Sequence, residues 1–353
     1  MSITLKPGFI YFLQERDVLT GETYEYAKIG KTDYDRPVAK RISDHQTGNP
    51  RLITDHTSYQ VCSIDTVETH LHHAFAERRV LGEWFRLDEQ TLQSAIDEGR
   101  RVDQEIEKHA DTIKTADDAN DLESSEPERN ASEQELTLLE KAIEAGEELN
   151  RLQARHDSLE WEMKAAMGSS MGIDGVLSVS EVKTQPKFDE KELQAKSPNI
   201  HEAFLVEDTA IKRSFSLATK AKSKAALEPE LALRQKELKE QVVKKWTDCE
   251  NPEKGRSAPF AELHREYLAI MGEISISTMR KDFLEAQIKA ACGLARGIEG
   301  VCKWTRLSDT KMKFDRKSFE EKHPDLFEEY LVPAAPSGIR ISVKPYRSYA
   351  TAR

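Results

Sequence analysis

The chain predicts an α+β protein: a small antiparallel sheet flanked by helices, followed by a long-helix plus β-hairpin module that occurs twice. Three observations carry this. Short runs rich in aromatic and branched residues open the chain. Apolar residues at helical spacing follow them. Beyond residue 133, glycine, phenylalanine, proline and arginine positions recur at a nearly constant offset.

Residues 7–14 read as a strand and 26–31 as a second, with a polar, glycine-containing hairpin loop between them. Pro37 suits the first turn of a helix that holds Val38 and Ile42 on one face. Residues 52–62 form a plausible third strand. Residues 65–79 read as a helix whose Val67, Leu71 and Phe75 recur every four positions and face a core. Another helix after Leu87 uses Leu92, Ile96, Val102 and Ile106. Residues 111–132 are polar and acidic and read as a linker. A long amphipathic helix then carries Leu138, Leu139, Ala142, Ile143, Leu149, Leu152, Leu159, Met163 and Met167, and ends near Gly168 and Gly172.

The helical part contains an internal repeat. Lys164-Ala-Ala-Met-Gly168 returns as Lys289-Ala-Ala-Cys-Gly293, and Gly172-Ile-Asp-Gly-Val176 as Gly297-Ile-Glu-Gly-Val301. Phe188-Asp189 with Lys191 returns as Phe314-Asp315 with Lys317, Pro198 as Pro324, and Arg213 as Arg340. The offset moves from 125 to 126 and then 127 residues, which needs two single insertions. Each unit reads as a long helix, a glycine-bounded hairpin, a short Pro-containing helix and a closing strand. The expected organisation is a head over 1–110, a linker over 111–132, a first unit over 133–220, and connecting helices with a second unit over 221–353.

Composition bounds the function. Of 353 residues, 33% are charged and 38% hydrophobic, so the expectation is a soluble, helix-rich protein. No apolar run approaches a bilayer span and the start lacks the pattern of a signal peptide, so no membrane partner and a cytoplasmic location are expected. Cys62, Cys249, Cys292 and Cys302 have no two-residue spacing, which argues against a structural zinc or a disulfide framework. The net charge of −11 argues mildly against a nonspecific nucleic-acid coat. The acid is concentrated in 117–147, however, so a basic face elsewhere is compatible with that sum.

The head carries an ordered set of chemical groups. Phe9-Ile10-Tyr11 is followed by Lys28-Ile29-Gly30 and Lys31-Thr32. Arg41 precedes Thr47-Gly48, and Glu68 stands with Leu71-His72 and Phe75. Gly82-Glu83-Trp84-Phe85-Arg86-Leu87 closes the set. Together these resemble the GIY-YIG nuclease superfamily, in its phage and mobile-element branch, over roughly residues 7–100. Phenylalanine stands for the first motif's glycine and Lys28 for its second tyrosine.

The resemblance implies a magnesium- (or manganese-) dependent DNA endonuclease with Glu68 as the metal ligand. Tyr11 orients or deprotonates the attacking water, Lys28 lowers the Tyr11 pKa, and Arg41 binds the scissile phosphate. His45, four residues after Arg41, assists a proton transfer, and His72 orients Glu68. Lys31 and Arg36 join as DNA contacts. One head with one metal site is expected to nick. The plain alternatives are a helix-capping box made by Asp65 and Glu68, a packed strand tyrosine, and solvated charges at Lys28 and Arg41. His70, His72 and His73 invite a zinc site but lack matching cysteines.

Residues 135–218 and 262–345 resemble the C-terminal tail of YqaJ-type phage recombination exonucleases, without that family's catalytic motif. The implied roles are gripping DNA, docking a recombination or replication protein, or forming a homodimer through the long helices. Lys183, Lys187, Lys191, Lys212 and Arg213, with Lys303, Arg306, Lys311, Lys313, Arg316 and Lys317, give the hairpins a basic character. Lys187, Lys191, Lys313 and Lys317 are the expected DNA contacts. Against the endonuclease stands a noncatalytic DNA-binding or assembly protein that keeps only the nuclease fold.

Overall fold

The structure, a computed structural model, describes residues 3–167, 172–173, 175–182, 185–245, 258–333 and 338–345. The head begins with β1 (Gly8–Arg16) and β2 (Thr23–Asp33), an antiparallel pair in which Tyr11 faces Gly30. β3 (Leu52–Val61) pairs with the other edge of β1, and β4 (Arg79–Leu81) and β5 (Trp84–Arg86) complete a five-stranded sheet of order β3-β1-β2-β5-β4. Alternation along the strands divides the side chains. Ile10, Phe12, Ala27 and Ile29 enter the main core with α2 (Ile64–Ala74) and α3 (Glu89–Lys108). Tyr11 and Leu13 point the other way, toward Val38 and Ile42 of α1 (Val38–Gln46). The expected helices and strands of the head are present, except that the helix expected over 65–79 ends at Ala74 and gives way to a tight turn and β4, and Leu92, Ile96, Val102 and Ile106 are buried as their spacing required.

The expected linker has structure. α4 (Ala110–Asn120) buries Ile113, Ala116 and Ala119, and packs on α10 (Ala258–Cys292). The following residues run alongside the second unit: Ser124 donates its backbone N–H to the Arg306 carbonyl at 2.8 Å, and Arg129 donates to Gly297 at 3.2 Å. A stripe of small apolar residues three apart outweighs the acidic composition here.

α5 (Glu133–Ala166) starts with a capping box between Ser132 and Glu135. Its Met167 cap lies one residue before Gly168, which is outside the described residues. α5 and α10 are the two long repeat helices, and they pack against each other within the chain. The head rests on α10. A Cβ on Gly272 would lie 3.2 Å from the Ala74 Cα, His70 of α2 meets Ser275 at 3.1 Å, and Met279 and Phe283 enter the head's core. α8 (Lys224–Leu227) and α9 (Pro229–Lys245) connect the units along α5.

The repeats match in order. β6 (Gly172–Ile173), β7 (Leu177–Val182), β8 (Lys187–Phe188), α6 (Glu190–Lys196), α7 (Pro198–Ala203) and β9 (Leu205–Leu217) form the first set. β10 (Gly297–Ile298), β11 (Cys302–Phe314), α11 (Arg316–Lys322), α12 (Pro324–Glu329), β12 (Leu331–Val332) and β13 (Gly338–Val343) form the second. β7 and β8 of the first set stand in the place of β11 of the second, and β9 in the place of β12 and β13. The pairing crosses between them. β9 of the first unit pairs with β11 of the second along 13 residues, and β13 of the second pairs with β7 of the first. Arg213 faces Arg306 in one ribbon, and Arg340 faces Ser180 in the other. The units are therefore interlocked across the expected boundary near residue 220. Phe204, Phe314, Phe319, Phe327 and Tyr330 bury together in a lobe built from both.

The basic character expected of the hairpins is partial. Lys212, Arg213, Lys303, Lys311 and Lys313 are exposed, and Lys183 lies outside the described residues. Arg306 is 0% exposed, with its guanidinium 3.7 Å from the Trp304 ring centroid, so it packs in the core. Among the described residues, no helix is long and apolar enough to cross a membrane.

Candidate functional site

The site forms where β5 stops. β5 pairs with β2 only from Tyr26 to Lys28, so the edge of β2 beyond Lys28 is free to be covered by side chains. The Glu83 carbonyl accepts the Ile29 N–H at 3.1 Å and keeps the β4–β5 turn at that edge. Gly30 permits the next step. A Cβ there would lie 2.5 Å from the Tyr11 hydroxyl and 2.6 to 2.7 Å from its ring, so the phenol lies directly over a residue that must lack a side chain.

Tyr11, Arg41 and His45 meet. Arg41 donates through Nε and Nη2 to the Tyr11 hydroxyl, both at 3.3 Å, and His45 Nε2 lies 3.4 Å from the same oxygen. Arg41 and His45 are four residues apart on α1, which puts both over the strand that carries Tyr11. Burial raises the Tyr11 pKa, opposed by Arg41. Burial lowers the His45 pKa, helped by Lys28 and Arg41. Both shifts favour the uncharged forms, a neutral imidazole and a protonated phenol.

Lys28 has a partner within the fold. It is buried and its ammonium pairs with Glu83, whose carboxyl drops below its usual range because this pairing overcomes burial.

Glu68 lies on α2 and is 8% exposed. The helix starts at Ile64 with Ser63 at its N-cap, so Asp65 and Glu68 do not form a capping box. Glu68 Oε2 instead accepts from Lys31 Nζ at 2.7 Å, and the same ammonium reaches Asp65 Oδ1 at 2.6 Å. Burial raises the Glu68 pKa against the pull of Lys31. Glu68 makes no direct hydrogen bond to Tyr11, but its charge acts on the phenol, and that of Glu83 acts on both. The expected residues thus form two adjacent groups, Tyr11–Arg41–His45 and Lys31–Glu68–Asp65, with Lys28–Glu83 also within electrostatic reach.

The histidines have other duties. His72 donates to the Ile29 carbonyl at 3.0 Å rather than holding Glu68, and burial takes its pKa down to about 4. His70 joins Glu98 of α3 at 2.7 Å to Ser275 of α10. Arg36 pairs with Asp44 beside the head's site. Lys187, Lys191, Lys313 and Lys317 are exposed on the interlocked lobe, outside the Tyr11–Arg41–Glu68 group.

Two contributors were not assigned their roles from the sequence: Glu83 as the counter-ion of Lys28, and Asp65 as a partner of Lys31. The signal for Asp65 was its position one helical turn before Glu68. For metal binding, the donor set is a single buried carboxylate that already holds a cation, the Lys31 ammonium. That set fits magnesium, which takes few protein carboxylates and retains water. Among the described residues, His156, Asp157 and Glu160 on α5 also lie close together. There, Asp157 pairs with Lys224 and Glu160 with Lys164.

Residues 8–100 match the T5orf172 domain, a nuclease-associated family. The match ends inside α3, so the interlocked units lie outside it. No curated protein and no solved structure matches the chain.

Proposed function

We propose that the head hydrolyses phosphodiester bonds in DNA as a GIY-YIG-type endonuclease of phage or mobile-element origin, with a divalent cation, magnesium or manganese, held by Glu68. The observation that supports this most is the meeting of Arg41 and His45 on the Tyr11 hydroxyl beside a buried carboxylate. When bound, the ion supplies a Lewis acid for the phosphate and its leaving oxygen. Arg41 gives the scissile phosphate a guanidinium that remains charged at any working pH. Neutral His45 takes the proton of the attacking water, and Tyr11, still protonated, orients that water through its hydroxyl. This assigns Tyr11 to positioning and the base to His45. The interlocked units serve to hold the duplex or a recombination or replication protein. Their exposed lysines Lys187, Lys191, Lys313 and Lys317 support the first use.

A noncatalytic DNA-binding role has one observation behind it: Lys28 and Glu68, two of the charges assigned to chemistry, already have partners within the fold. Supercoiled plasmid separates the two. The catalytic reading expects nicking with magnesium and none in chelator, with Glu68→Ala and Arg41→Ala inactive. Either variant cutting at the parental rate overturns it.

A further inference from the structure

Lys31 stands one residue beyond Gly30, and its ammonium joins two carboxylates from one face of α2. Asp65 and Glu68 differ in surroundings: the Asp65 side chain is 55% exposed and that of Glu68 11%. A buried carboxylate without a counter-charge is costly, so Lys31 answers a need that Glu68 has in this fold. A divalent cation at Glu68 must meet the same need at the same oxygens. Two cations within a few ångströms repel strongly where water is excluded, so they cannot share the carboxylate without rearrangement. Asp65 offers the means. The ammonium has three donors, and its bond to Asp65 survives if only the bond to Glu68 breaks.

We propose that Lys31 gates divalent-cation binding at Glu68, and that Asp65 holds the displaced ammonium when the cation enters. The proposal rests on Glu68 being the metal-binding carboxylate and adds how that carboxylate is kept ready. Lys31 is the competitor that occupies the Glu68 carboxylate until a cation arrives. Asp65 is a positioning residue that acts only through Lys31. Two opposite effects follow. Removing the ammonium strengthens cation binding, whereas removing Asp65 leaves the ammonium to Glu68 alone and weakens it.

The test titrates the full chain with Mn²⁺ and no DNA, following free ion by electron paramagnetic resonance. Lys31→Gln is expected to bind about tenfold more tightly than the parent, the scale of one partly buried ion pair. Asp65→Asn is expected to bind several-fold more weakly. Lys31→Gln with Asp65→Asn should match Lys31→Gln alone, and Lys31→Arg should stay near the parent. Equal affinities in parent, Lys31→Gln and Asp65→Asn, all lost in Glu68→Gln, overturn the gate and leave the metal assignment standing. A double variant weaker than Lys31→Gln shows Asp65 acting on the ion directly and also overturns it. Mn²⁺ binding that persists in Glu68→Gln, or is missing from both parent and Lys31→Gln, overturns the metal assignment and the gate together.

Discussion

Phe188 and Phe314 hold equivalent positions in the two repeats and stack on each other, with ring centroids 5.8 Å apart and planes 7° from parallel. A contact between equivalent residues marks the pseudo-twofold relation between the units. Phe314 also meets His201 and Phe319, which places it at the centre of the lobe. Phe314→Ala is expected to cost about 3 kcal/mol and Phe188→Ala, which is less buried, less than that. The double variant should fall short of the sum by about 1 kcal/mol, because the rings share one interaction. Urea unfolding of the four proteins measures this; strict additivity would mean the stack contributes nothing.

Gly30 is the steric condition for the candidate site. Gly30→Ala places a methyl group against the Tyr11 hydroxyl and ring. The expected cost is about 1–3 kcal/mol in stability from overpacking, with a loss of about 100-fold or more in cleavage because Tyr11 is displaced. Plasmid cleavage alongside thermal melts checks both; a fully active variant removes Tyr11 from the mechanism.

The pH dependence of cleavage follows from two opposed shifts. Burial moves Glu68 up from 4.5 and His45 down from 6.5, and both act without their protons. Single-turnover rates should therefore rise with pH from the acid side, the Glu68 limb lying above 4.5 and the His45 limb below 6.5, and level off once both protons are lost. His45→Ala is expected to lower the plateau by about 100-fold. An alkaline rise that vanishes in Tyr11→Phe would instead identify the phenolate as the base.

Glu98 ties α3 to His70, and Arg101 followed by His70 brings its carboxyl from 4.5 down to about 2. A depressed carboxyl stabilises the fold above its unfolded value, and that stability is lost as pH falls through the folded one. The Tm gap between the parent and Glu98→Gln should be full at pH 7 and close between pH 4.5 and about 2. A gap that stays constant over that range contradicts the assignment.

A protease site placed within residues 246–257 divides the chain between the repeats. Because β9 pairs with β11 and β7 with β13, the two fragments are expected to co-elute as one particle after cutting and to separate only in denaturant. Fragments that part under native conditions would contradict the interlocked arrangement.

Much of the head was legible because its signals are local. Tyr11 and Gly30 lie in aromatic and branched strand runs, and Leu92 to Ile106 keep helical spacing. The partners of Lys28, Lys31 and His72 were not legible, since each depends on which groups meet at the free edge of β2. The duplication was visible in Phe188 and Phe314, yet a repeat offset cannot say whether β9 pairs within its own unit or with the other. Arg306 was misjudged because its charge suggested exposure, whereas strand alternation places it on the same face as Trp304, against whose ring it packs. Residues 111–132 were misjudged because their acidity masked Ile113, Ala116 and Ala119.

The crossed strands also order events during synthesis. β9 is complete almost a hundred residues before β11 leaves the ribosome, so one long strand waits with its hydrogen-bonding edges uncovered. Closing so large a loop makes this pairing a late and slow step, and the nascent chain passes through a stage prone to joining its neighbours. A cell that makes this protein must either translate the remainder promptly or shield that strand.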